Sequence, residues 1–554
     1  MQTPAFAATK TVRTWKLFRG LIWVAAVMAA CLCPTRALGQ TTNSFWGSGN
    51  GNWSDAANWS SNQVPNNSGK KTYDVTIISG NRIPAAVTLD ESVTITSLTI
   101  GPALDNSFSF LSEAAGAPET LTVTNGVTVL QTGEIDLESG STLNVSGDLT
   151  NFHDVTTNLA NFKGGPNTLN VTGTFYNEVG ADLALGFSGD TSDVANIGVL
   201  VNSGRLDVNT GVTLNLTNQP NGITDISQGS AINLFGTGTI KVGSSNALAN
   251  LASIEGTLSL INGQAITLAA ANLIVSTSGV VDALNSSTLV VSGNLINSGI
   301  VQTGADNVLG FSGNTMTVAG AFTNNAGAQF SVGLNDMASV GTLLNNGTLT
   351  IGTNAILNLT NSGGSFVQMS GQTVVNGTLN SMPAVQIKGG MLSGSGTING
   401  NVIMGGTLSP GNSPGILTIN GNYTQTAFGT YIAELAGLTA GTGYDQVDVS
   451  GTANLDGTLD VSLINGFTVA LGDNFILMKY DSETGTFSMV DLPKLSNGLM
   501  WDLTYDPGFI DLSVTSGVTT TPEPPTYLLW GAVGLLGIGI WGRRKFRREM
   551  SSSE

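Results

Sequence analysis

The sequence predicts an all-β chain: a right-handed parallel β-helix or solenoid with terminal caps, an N-terminal signal peptide and a C-terminal transmembrane helix. Three observations predict the body. Short β-branched or Leu-rich segments show apolar residues at period two, as in TLTVTNGVTV (120–129), TLNV (142–145, 168–171) and TLTI (348–351). Gly, Asn and Ser separate these segments, and Gly alone accounts for 72 of the 554 residues. A larger repeat contains them all. STLNVSGDL (141–149) matches STLVVSGNL (287–295), and GEID (133–136) matches GVVD (279–282), both at an offset of 146. NTLNVTGTF (167–175) matches NTMTVAGAF (314–322) at 147, and LNLTN (214–218) matches 357–361 at 143. These matches indicate a tandem duplication covering roughly 133–218 and 279–361.

Five segments follow in order: 1–39, 40–100, 101–404, 405–516 and 517–554. The first has the three parts of a secretory signal. Lys10, Arg13, Lys16 and Arg19 precede an apolar stretch at 21–32, and Ala37-Leu38-Gly39 offers a cut between Gly39 and Gln40. Signal peptidase is the partner this implies. A retained helix is the alternative, but Pro34 and Arg36 end the stretch early. Both cysteines, Cys31 and Cys33, fall here, so the exported body would have no disulfide and no thiolate metal site.

Segment 40–100 holds WGSGNGNW (46–53), Asn58-Trp59 and Pro65. A hydrophobic cap is the favoured reading of these tryptophans, with a sugar-stacking platform as the alternative. Segment 101–404 is the solenoid. In such a fold the inward positions stack Val, Ile, Leu and Phe. Gly and Asn take the corners, and stacked Asn side chains form ladders along the axis. Irregular rung lengths leave a string of β-sandwiches as the competing architecture. Segment 405–516 carries TLSPGNSPGILTINGNYTQ (407–425) and YDQVDVSG (444–451).

The openings at 46–65 and 407–451 resemble the start and the C-terminal segment of bacterial autotransporter passenger domains. That resemblance implies a solenoid stem with its caps and no particular activity. It departs from the family in one respect: no translocator barrel follows the stem, only a tail, which disfavours a self-transporting outer-membrane protein.

The tail has three parts. Pro522-Glu523-Pro524 is followed by fifteen apolar residues at 527–541, and Arg543, Arg544, Lys545, Arg547 and Arg548 form a basic stop. A helix of that length spans about 22 Å, slightly short of a hydrocarbon core. The arginines should stay cytoplasmic, which places the body outside the inner membrane. This arrangement resembles the PEP-CTERM sorting signal of Gram-negative bacteria, a tail also known as the ice-binding-protein C-terminal motif. The resemblance implies an exosortase-type processing enzyme acting near Pro522–Pro524. It also implies an inner-membrane-anchored precursor and a mature protein at the cell surface or in the extracellular matrix. Exopolysaccharide or surface glycans are the partners it suggests. An unprocessed tail anchor is the alternative.

Charge excludes several function classes. The chain has 19 basic and 37 acidic residues. Five basic residues lie before position 40 and five after 540, and three of the acids lie in the tail. Residues 40–521 therefore carry 9 basic and 34 acidic groups, net −25. Such a body repels nucleic acid. A single histidine, His153, argues against a Ser-His-Asp triad and a multi-histidine metal site. Paired carboxylates are the catalytic chemistry the composition permits. Asp190 with Asp193 and Asp445 with Asp448 are the sequence-adjacent pairs, and both read better as surface turn acids. The first pair is absent from the second copy, where the matching stretch is shorter. No catalytic, cofactor-binding or metal-ligating residue is assigned. Thr94/Thr96 and Thr120/Thr122/Thr124 suggest local Thr-x-Thr rows of the kind an ice-binding face needs, but they do not recur at one rung spacing. The expected role is structural or adhesive. A glycan-active β-helix enzyme and an ice- or carbohydrate-binding module are the alternatives.

Overall fold

The computed structural model describes residues 40–517 except 48, 79–84, 102–108, 114–117, 159–164, 188–191, 305–311 and 362–364. The signal sequence through Gly39, the sorting tail (Pro522, Glu523, Pro524, Arg543, Arg544, Lys545, Arg547 and Arg548) and Asp190 lie outside the described residues. Among the described residues no helix is long and apolar enough to cross a membrane.

The chain forms two compact units. One comprises residues 1–250 with 256–258, the other 251–255 with 259–554. The two sequence copies fall in different units. Each unit is a parallel β-solenoid of the right-handed type. Parallel pairing between successive turns replaces the β-sandwich alternative.

In the first unit one turn is built from Thr142–Val145, Leu149–Asn151 and Asp154–Thr157. Thr142–Val145 pairs in parallel with Thr120–Val123 on one side and Thr168–Asn177 on the other. Asp154–Thr157 lies between Gly133–Leu137 and Asp182–Leu185. Period-two alternation sends Leu143, Val145, Leu149 and Val155 inward, each at most 1% exposed. Thr142, Asn144, Thr150 and Asp154 alternate with them and are part-exposed, whereas Asn151 turns into the corner.

Rung length varies without disturbing register. Asn144, Asn170, Asn196 and Asn215 are 26, 26 and 19 residues apart along the chain, yet each amide donates to the carbonyl of the previous one at 2.8 Å. The turns absorb the extra residues. Irregular spacing in the sequence is therefore compatible with a regular stack.

A second ladder runs inside the corner of each unit. Asn151 donates to Asn177 at 3.0 Å and Asn177 to Asn202 at 2.7 Å. In the second unit Asn297, Asn324, Asn345 and Gln368 continue the pattern, all 0% exposed. These amides satisfy corner carbonyls that the parallel ladder cannot reach.

Trp46, Trp53 and Trp59 are 3%, 0% and 1% exposed and pack edge to face, with ring centroids 4.8 and 4.7 Å apart. Trp59 Nε1 donates to Trp53 O and Trp53 Nε1 to Pro65 O. Each buried indole contributes about 4–6 kcal/mol of transfer free energy. These rings form a cap and offer no stacking platform. At the other end Leu499–Asp506 and Phe509–Ser516 form an antiparallel hairpin. Its second strand also pairs antiparallel with Asn474–Lys479, which turns the last edge away from further parallel addition.

Candidate functional site

The sequence-adjacent carboxylate pairs do not assemble into sites. Asp445 is 0% exposed, and its oxygens accept from Gly415 N at 2.8 Å and Glu434 N at 3.0 Å. Asp448 is part-exposed, 3.7 Å from Lys479 Nζ. Residues three apart along a strand face opposite sides, which separates the two carboxylates. Neither is a loose surface turn acid.

Asp193 is also internal, at 1% exposure. It accepts from Asn167 N at 2.8 Å and Thr157 Oγ1 at 2.6 Å, while Asn167 Oδ1 accepts from Ser141 N at 3.1 Å. The second copy keeps the Asp193 half of the sequence pair in the same device. Asp336 accepts from Asn314 N at 2.8 Å, and Asn314 Oδ1 accepts from Ser287 N at 3.0 Å. Asp193 and Asp336 are 143 positions apart, so the four-residue shortening precedes them. Both are corner locks. Gln40, the first described residue, is exposed and directly precedes the strand Thr41–Phe45.

The threonines do align in register. Thr120, Thr142 and Thr168 stack, and so do Thr213 and Thr239, with Val194 between the two groups. The neighbouring outward column holds Thr122 and then the Asn ladder, so among the described residues of this sheet the Thr-x-Thr pattern does not continue past Thr120/Thr122.

A different cluster emerges from stacking. The third strand of successive turns places Glu134, Asp154, Asp182 and Arg205 in one outward column. Asp136, Thr156, Ala184, Asp207 and Asn233 form the next, and all of these but Asn233 are buried. Three part-exposed carboxylates, Glu134, Asp154 and Asp182, thus share a face with Arg205, Asp136 and Asp207 are buried beside them, and His153 stands at the margin. Arg205 Nη2 is 2.7 Å from Asp182 Oδ2, and its Nε is 3.6 Å from Asp207 Oδ2. His153 Nδ1 lies 3.3 Å from Asp154 Oδ2 and 3.1 Å from Gly133 O. Thr156 Oγ1 donates to Asp136, and Asn233 Nδ2 to Asp207 at 2.7 Å.

Burial raises several of these acids. Desolvation pushes Glu134 above the usual carboxylate range, and Asp154 adds to the effect. Asp154 is raised by desolvation against the opposing pull of His153. Asp207 is raised by desolvation too, with Asn233 and Arg205 opposing. Protons are therefore held here at a higher pH than on free carboxylates.

The duplication provides an internal control. In the second copy the column Glu134, Asp154, Asp182, Arg205 becomes Val280, Ile300, Gln329, Thr348, paired in the same parallel register. Asp207 becomes Thr350, and only Asp136 keeps its carboxylate, as Asp282. The same strand geometry forms without the charges. The fold therefore does not require them, which makes this face the candidate functional site. Among the described residues no group of three or more His, Cys, Asp or Glu is arranged to hold a metal.

Sequence reasoning missed this face because Glu134, Asp154, Asp182 and Arg205 are separated by unequal turns. One signal was present: GEID against GVVD in the two copies already shows a charged residue lost at the first outward position.

The architecture and this face define a class: a parallel β-solenoid with an acidic lateral face. No family model matches the chain, and no curated protein matches it. Among solved structures it is similar to the Hap adhesin of Haemophilus influenzae, with 12% identity and a TM-score of 0.25. That match covers 80% of this chain, and the chain spans 64% of the adhesin.

Proposed function

We propose that this chain is an exported β-solenoid that acts at the cell surface or in the extracellular matrix as a structural or adhesive element. The observation that carries this reading is the column Glu134, Asp154, Asp182 and Arg205 of the first copy, whose charges the second copy folds without. A face that presents the carboxylates of Glu134, Asp154 and Asp182 beside one arginine suits a cationic partner, and the net charge of the body steers such a partner toward it.

The finer reading concerns delivery. Signal peptidase cuts between Gly39 and Gln40. The basic cluster Arg543, Arg544, Lys545, Arg547 and Arg548 holds the precursor in the inner membrane. An exosortase-type enzyme processes it near Pro522-Glu523-Pro524, and the body associates with exopolysaccharide. The order of the three tail parts in the sequence supports this. Fractionation of the native host with intact-mass analysis tests it. The expected product starts at Gln40, ends close to Pro522–Pro524 and is found with surface polymer. A full-length tail recovered in the inner membrane overturns processing and leaves a tail-anchored solenoid.

A glycan-active enzyme is the second reading, favoured by the burial-raised carboxyls Glu134 and Asp154 on neighbouring strands. Adjacent strands lie about 4.8 Å apart, near the carboxyl separation of about 5–5.5 Å in retaining glycosidases. The double variant Glu134→Gln with Asp154→Asn separates the two readings. The adhesive reading expects no turnover by the wild type and about tenfold weaker capture on polylysine at low salt. It also expects the control Asp225→Asn with Asp481→Asn to leave capture unchanged. Glycan turnover that the double variant abolishes would establish the enzyme instead.

A further inference from the structure

The second unit contains an open cleft of about 390 Å³, lined by Asn358, Leu359, Asn380, Ser381, Met382, Asn399, Gly400 and Asn401. We infer that this cleft binds an extended, uncharged polysaccharide lying along the solenoid axis. The inference rests on the extracellular reading above and adds to it a ligand class and a second surface.

Shape comes first. The lining comes from three successive turns, in parallel register through Asn358, Asn380 and Asn399. A shallow trough running across turns suits a chain and would enclose little of a compact ligand.

Chemistry narrows the choice. None of the lining residues is ionisable, in a protein of formal charge −18. The occupant is therefore recognised without charge. Asn380 Nδ2 donates to Asn358 Oδ1 at 2.8 Å, Asn399 to Asn380 at 2.7 Å, and Asn420 to Asn399 at 2.8 Å. Each amide has two donors and two acceptor lone pairs, so the ladder uses half of its capacity. One N–H and one lone pair per turn remain for a ligand, repeating at about 4.8 Å. A hydroxyl-bearing chain that advances by about one sugar per rung matches that array.

Two further residues complete the cleft. Met382 is 86% exposed at its lip and supplies an apolar surface for the C–H face of a sugar ring. Gly400 keeps the trough open: a Cβ there would sit 2.2 Å from Ser381 O, and its φ of +151° suits glycine. A peptide strand is disfavoured, because this face presents side chains and its backbone groups are already paired between turns.

Affinity electrophoresis of the full chain in neutral detergent tests the inference. The gels contain hydroxyethylcellulose, galactomannan, alginate or no polymer. Retardation by at least one neutral chain and none by alginate is expected. Met382→Ala should weaken the apparent Kd about tenfold. Asn399→Asp, which places a carboxylate in the trough, should abolish retardation. Met369→Ala, an equally simple truncation of an exposed methionine elsewhere, should behave as wild type. All three variants should melt with the wild type. No retardation by either neutral chain overturns the inference, as does equal retardation by alginate or retardation that both cleft variants leave unchanged. Mislocalisation in the host would sink the extracellular reading without altering these gels.

Discussion

Asn324→Ala should cost the second unit about 3–6 kcal/mol, whereas Asn399→Ala should cost about 1 kcal/mol or less. Both residues belong to hydrogen-bonded amide ladders, and the difference is water. Asn324 is 0% exposed. Its Nδ2 donates to Asn345 Oδ1 at 2.8 Å and to Thr348 O at 3.1 Å, and its Oδ1 accepts from Asn297 Nδ2 at 2.9 Å. Truncation deprives three buried groups of a partner, and each loss costs about 1–3 kcal/mol where no solvent can substitute. It also opens a void inside a stack whose neighbours cannot collapse without shifting register. Asn399 lies on the outer face, where water replaces its lost bonds. Guanidinium midpoints of the two variants check the contrast. Equal shifts would mean that the inner ladder is incidental to stability. Because solenoid turns interact mainly with their neighbours, hydrogen exchange should show the Asn324 effect concentrated around the turns at 297, 345 and 368.

How far the sequence disclosed this molecule follows from which distances the chain fixes locally. The strands were legible because alternation is a local property: TLNV buries Leu and Val wherever it occurs. The duplication was legible because its offset is nearly constant. The amide ladders were expected in kind, since Asn sits repeatedly at the same place in the repeated phrase. The acidic face was not legible. Its members meet only after register has been set by turns of unequal length, and nothing local states that Asp154 stacks on Glu134. Sequence proximity also misled. Asp445 and Asp448 look like a pair in writing, but three residues along a strand put them on opposite sides. Asp193 looked like a turn acid, yet its corner tucks it inward beneath Asn167. The threonine rows failed in the other direction. Uneven spacing argued against alignment, the strands aligned them anyway, and the adjoining Asn ladder then interrupted the face.

Polar groups in this body fall into two kinds, and the duplication sorts them. Asp193 and Asp336 are kept in both copies because each accepts a hydrogen bond inside a corner, from Asn167 N and from Asn314 N respectively. Glu134, Asp154, Asp182 and Arg205 have neutral counterparts, and their strands pair all the same. A charge that the fold retains twice is structural. A charge present once, partly desolvated and so held at an energetic disadvantage when ionised, needs a different explanation, and contact with a partner supplies one.

Asp445→Asn should be nearly neutral for stability in mild acid and stabilising above neutral pH. The carboxyl is wholly buried, and desolvation pushes its pKa up to about 7, with Glu434 adding to the shift. The N–H groups of Gly415 and Glu434 oppose this but do not outweigh it. The folded-state pKa lies above the ordinary value of 3.8, so the folded chain binds this proton more tightly than the unfolded chain. The resulting stabilisation is complete below about pH 4 and is lost as pH rises through about 7, amounting to about 2–4 kcal/mol. Asparagine cannot titrate, and it resembles the protonated acid in size and in keeping one carbonyl oxygen to accept from this pair of N–H groups. Wild type and variant should therefore unfold at nearly the same denaturant concentration at pH 4.5. At pH 8 the variant should be the more stable. Paired denaturation curves at fixed ionic strength decide the matter. A gap that stays constant with pH would mean that Asp445 titrates normally. A gap that turns further against the variant as pH rises would mean that the two N–H donors, and not burial, set its charge.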